Sequence, residues 1–93
     1  MRVLIVGMAT SVHTVRFIEL LDGSGHDVHL FDTALSAQPH PDLTGCHIHA
    51  TNLAGEPPAG ATVEGPPAGD TCPRQLDHLR WVIDTVAPDV IHV

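Results

Sequence analysis

The residues best suited to chemistry gather in Gly7-Met8-Ala9-Thr10-Ser11-Val12-His13, directly after an apolar run at the N-terminus. Gly7 lets a ligand approach the backbone closely. The hydroxyls of Thr10 and Ser11 and the imidazole of His13 can exchange hydrogen bonds with it. A helix beginning here would also turn its free N–H groups toward an anion. Ser11 suits the N-cap of that helix equally well, so its hydroxyl has a structural use beside the ligand one. Arg16 follows His13 by one helical turn on the same side. Its guanidinium can clamp a phosphate or carboxylate, or pair with Glu19 or Asp22 on the surface. His92 stands where the last strand would reach the same crevice, either as a ligand or as a buried histidine bonded to a nearby loop. The dinucleotide fingerprint G-x-G-x-x-G needs three glycines in this turn and finds one, which argues against an NAD-binding domain.

Other polar groups make weaker patterns. His47 and His49 alternate along a strand and share a face, whereas His26 and His29 fall on opposite faces of theirs. No third ligand is placed by local spacing, so the expectation is scattered histidines, no metal site and no cofactor. Cys46 and Cys72 have neither metal nor redox spacing and read as free thiols of a reducing compartment.

The elements that must hold these residues follow from apolar periodicity. Arg2-Val3-Leu4-Ile5-Val6 is β-branched and stops at Gly7, a fully buried first strand. From about Val12 to Asp22, Val15, Phe17, Ile18, Leu20 and Leu21 recur at helical spacing, and Gly23-Ser24-Gly25 ends that helix. Asp27 to Phe31 is a second strand. Thr33 to Gly45 is a loop, Cys46 to Ala50 a third strand, and the Pro- and Gly-rich stretch Thr51 to Asp70 the least structured segment. Pro73 opens a second helix with a stripe of Leu76, Leu79, Ile83 and Val86. Pro88 breaks it, and Asp89 to Val93 is the fourth strand. Strands joined by helical crossovers predict an α/β, partial Rossmann-like parallel sheet with four strands and two main helices, in the order 3-2-1-4.

Composition narrows the function classes. A chain of 93 residues is one domain at most, and its core is marginal unless a further domain or an oligomer partner completes it. The formal net charge is −7, with Arg2, Arg16, Arg74 and Arg80 as the only basic residues besides histidine, so phosphate backbones are repelled and nucleic acid is not an expected partner. The run Val3 to Val6 is too short for a signal peptide, and no segment approaches the roughly 20 apolar residues of a transmembrane helix. The expectation is a cytoplasmic protein, peripheral to a membrane at most in its complete form.

Four motifs in order resemble a known family. They are Ser11-Val12-His13-Thr14-Val15-Arg16-Phe17 with Leu20-Leu21, Gly25-His26-Asp27-Val28-His29-Leu30, Leu43-Thr44-Gly45-Cys46-His47-Ile48-His49, and Ala87-Pro88-Asp89-Val90-Ile91-His92. Together they look like the opening of the retaining family-4 glycosyltransferases, and they cover nearly the whole chain apart from Thr51 to Asp70. The resemblance implies two facing Rossmann-like domains of the B-type fold. It also implies transfer of a sugar from a nucleotide-sugar donor to a sugar or lipid-linked acceptor, usually without metal. Gly7, Ser11, His13 and Arg16 would then line the acceptor side of the cleft, with Thr10 and His92 nearby. The sequence departs from the family pattern in having Gly7 alone before Met8. It ends one residue before the second histidine of the H-x-H that many members carry, and the donor-binding C-terminal domain is absent from it. The isolated chain is therefore expected to be inactive. The reading from another class is a small non-catalytic flavodoxin-like binding or interaction module.

Overall fold

A computed structural model describes residues 1–21, 25–33, 39–51, 60–65 and 75–93. The elements are β1 (Arg2–Gly7), α1 (Val12–Leu21), β2 (Asp27–Asp32), β3 (His47–Ala50), β4 (Thr62–Glu64), α2 (Gln75–Val86) and β5 (Val90–His92). All pairings are parallel, and the sheet runs β4-β3-β2-β1-β5. The four expected strands lie in the expected order, since right-handed crossovers from a central β1 place β2 on one side and the last strand on the other.

Two features correct the sequence reading. The sheet has five strands, because Thr62-Val63-Glu64 pairs with β3 from within the Pro- and Gly-rich stretch. Three residues of backbone pairing suffice for an edge strand, and they leave little hydrophobic pattern to detect. The buried row of α2 is also rotated. His78, Val82 and Val86 are buried, Leu79 and Ile83 are only partly so, and Leu76 is exposed. The i, i+4, i+8 row of the helix thus meets the sheet, and a histidine sits in it. Pro73, Cys72 and Arg74 lie outside the described residues.

Each sheet face has its own core. Val3, Ile5, Val28, Leu30, Ile48 and Ala50 pack with Val15 and Ile18 of α1 and with Leu43, and Leu4 and Phe31 pack with Val82 and Val86 of α2. The central strands β1 and β2 therefore need apolar residues on both faces, each buried aliphatic side chain contributing roughly 1.5–3 kcal/mol. α2 leaves through Ala87 in the left-handed region, with φ of 48°. Arg2 of β1 then donates from its guanidinium to the last helical carbonyl, Val86 O, at 2.9 Å. Unlike the central strands, β5 pairs with β1 alone among the described residues, and its side chains are exposed.

Candidate functional site

The turn from β1 into α1 is pinned on both sides. The Ala9 amide donates to the buried Asp32 carboxylate at 3.0 Å, and the Ala9 carbonyl accepts from the His40 amide at 2.7 Å. Asp32 ends β2 beside Gly7, its register partner on β1, so a carboxylate at the strand's end reaches the next loop. Sequence reasoning passed over this residue. The available signal was an acid closing an otherwise apolar run.

Ser11 caps α1: its Oγ accepts from the His13 amide at 3.2 Å and its carbonyl from Val15 N. The capping use foreseen for it is present. Beyond the cap, a cavity of about 290 Å³ opens at the carboxyl ends of β1 and β5. Gly7, His13, Thr14, Phe17 and His92 line it over a floor of Ile5 and Val6. His92 is exposed and stacks on Phe17, with ring centroids 4.3 Å apart and planes 10° from parallel. A flat ring pair, an apolar floor and two imidazoles make a small amphipathic crevice, suited to a group with both C–H faces and hydroxyls.

The structure thus gathers Gly7, His13 and His92. It leaves Thr10 and Ser11 in the preceding turn, outside the lining. Arg16 points to solvent and pairs with Glu19 at 3.5 Å, the surface pairing that the sequence allowed.

A second cluster occupies the α2 face of the sheet near the amino-terminal ends of β2 and β3. Asp27 and His29 are two apart on β2, and His47 on β3 is the register partner of His29. His29 Nε2 lies 3.1 Å from Asp27 Oδ2, and His47 Nε2 lies 3.8 Å from Asp27 Oδ1. The His29 and His47 rings stack at 4.8 Å. Behind them, His49 Nε2 is 2.9 Å from His29 Nδ1, while His49 Nδ1 is buried with no hydrogen-bond partner among the described residues and faces Glu64 Oε2 at 3.8 Å.

The electrostatics follow from these contacts. The hydrogen bond from His29 holds the Asp27 carboxyl below the usual carboxylate range, helped by His47 and Arg2, although burial works in the opposite direction. Burial pushes His49 down to about 4, with His29 adding to the shift and Glu64 opposing it. His49 is therefore neutral near pH 7 and carries one ring proton. Burial raises the Cys46 thiol to about 11, so this free cysteine is a core residue with no thiolate to offer. Sequence spacing paired His47 with His49. Asp27 and His29 join them from the neighbouring strand, through a register that local spacing does not encode.

Among the described residues, no helix is long and apolar enough to cross a membrane. No known protein family, curated protein or solved structure matches the chain.

Proposed function

We propose that this chain forms the acceptor-side Rossmann-like unit of a retaining glycosyltransferase resembling family 4. The observation that carries the reading is the crevice at the carboxyl ends of β1 and β5, where Gly7, His13, Thr14, Phe17 and His92 converge. Ligands of open α/β sheets bind at this end, beside the first strand. In this role Phe17 and His92 offer a flat surface to the acceptor sugar, and His13 and Thr14 hydrogen-bond its hydroxyls. A second domain would bring the nucleotide sugar. The glycosyl–phosphate bond then breaks as the acceptor oxygen bonds to the anomeric carbon, and the acceptor proton leaves with the nucleotide. Arg16 would serve this cleft only by exchanging Glu19 for a ligand anion.

Amide NMR spectra of the labelled chain, titrated with glucose 6-phosphate and methyl glucoside, test the reading. Saturable millimolar shifts confined to Gly7, His13, Thr14 and His92 are expected, and they should disappear in His13→Ala. That substitution should change stability by no more than about 1 kcal/mol, because His13 is exposed. UDP-glucose should not be turned over by the chain alone, since donor and acceptor must be held in one cleft. Shifts that avoid the crevice, or none with either sugar, would remove the reading.

A further inference from the structure

We propose that Asp27, His29 and His47 form a binding site for one divalent transition-metal ion of the zinc class, bridging β2 and β3. The site lies at the amino-terminal ends of these strands, whereas the crevice lies at the carboxyl end of β1, so the inference is independent of the sugar-transfer reading.

Geometry supplies the first argument. One ligand atom from each of the three residues lies within 4.8 Å of the others. Ligands bound tetrahedrally at ~2.0–2.1 Å from zinc stand roughly 3.3 Å apart. Asp27 and His29 already meet that spacing at 3.1 Å. His47, with Nε2 within 4.8 Å of the other ligand atoms, must close in by up to about 1.5 Å. It is the first residue of β3 and its side chain is 43% exposed, so that movement disturbs no core.

The second argument comes from the groups around the three ligands. A metal-bound histidine is ordinarily held through its other ring nitrogen. His29 is held in this way, through Nδ1 to the buried His49. The other ring nitrogen of His49, Nδ1, faces Glu64 Oε2 at 3.8 Å, so the contacts behind His29 run on to a carboxylate. Arg2 is the one described cation beside the carboxylate, 3.6 Å from Asp27 Oδ2. Both side chains are about half exposed, so Arg2 can move to Oδ1 while the ion takes Oδ2, the oxygen already 3.1 Å from His29 Nε2.

Two imidazoles and a carboxylate suit zinc, cobalt, nickel or iron(II) rather than magnesium or calcium. Three protein ligands leave a coordination position open. Beside Asp27 and His47 lies a cavity of about 210 Å³, also lined by His26, Gly45, Gly60 and Thr62, large enough for water or a small anion.

The test uses tag-free chain stripped with chelator and titrated calorimetrically with zinc chloride. One-to-one binding at micromolar zinc is expected, with at least about a hundredfold loss of affinity in His47→Gln and in Asp27→Asn. A loss of 10- to 100-fold is expected in His49→Gln, the size seen for outer-shell partners. His40→Gln, which alters a histidine bonded to the Asp42 amide, should bind as the parent does. Cobalt(II) added to the unaltered chain should shift the ring protons of His29 and His47 paramagnetically, a readout that needs no variant. Absence of saturable binding would overturn the proposal, as would binding that survives both ligand substitutions or cobalt shifts centred on other histidines.

Discussion

Replacing Asp32 is the most direct test of how the β1–α1 turn is built. Its carboxylate accepts from the Ala9 amide at 3.0 Å, both residues are buried, and Ala9 is fully excluded from solvent. Asp32→Ala removes the acceptor and leaves a buried N–H without a partner, a loss of about 2–3 kcal/mol for a bond to a carboxylate. Asp32→Asn keeps an oxygen for the Ala9 amide but loses the charge and turns the buried Oδ2 into an NH2 group, so a loss of about 1 kcal/mol is expected. For a domain of this size each kilocalorie moves the melting temperature by roughly 4–8 °C, so the two variants are separable by melting alone. Urea unfolding supplies the free energies, and hydrogen exchange supplies the location. The Ala9 amide should exchange much faster in Asp32→Ala, relative to the core amides of β1, than global destabilisation explains. Loss of less than about 0.5 kcal/mol, the size of an ordinary surface substitution, would refute the reasoning. So would unchanged relative protection at Ala9.

Two further outcomes follow from buried groups elsewhere. Burial lowers His78 below the ordinary imidazole value, with Thr51, Phe31 and Trp81 packed around it and His49 close enough to feel its charge. The unfolded chain therefore binds the extra proton first. Stability attributable to His78 is intact above about pH 6.5 and falls as the pH drops toward the lowered folded value, by at most about 1.4 kcal/mol per pH unit. The difference between parent and His78→Asn in urea unfolding from pH 7.5 to 5 should show that slope, and a flat difference would contradict it. At Gly60 an added Cβ would sit 2.5 Å from Thr44 Cγ2 and 2.9 Å from Thr44 Cβ. Gly60→Ala should therefore destabilise by about 1–3 kcal/mol. Thr44→Gly, which removes both atoms, should relieve most of it in thermal melts of the double variant.

The sequence by itself determined the strands β1 and β2, both helices and the order of the four main strands. Val3 to Val6 are apolar on successive positions, and Val28, Leu30 and Phe31 nearly so, as strands covered on both faces require, and the handedness of crossovers does the rest. Ser11 was legible as a cap because capping acts over three residues, within the range of local spacing. Only the tertiary structure decided the remainder. β4 is an edge strand of three residues that exists through backbone bonds to β3, so its side chains carry almost no signal. The pairing of Phe17 with His92 joins residues at opposite ends of the chain. The meeting of Asp27, His29 and His47 depends on the β2–β3 register, which is set by where Leu30 and Ile48 bury and not by the polar residues themselves. Arg16 shows the converse: helical spacing placed it beside His13, but a side chain that long settles where its nearest carboxylate lies, and Glu19 is one turn away in solvent.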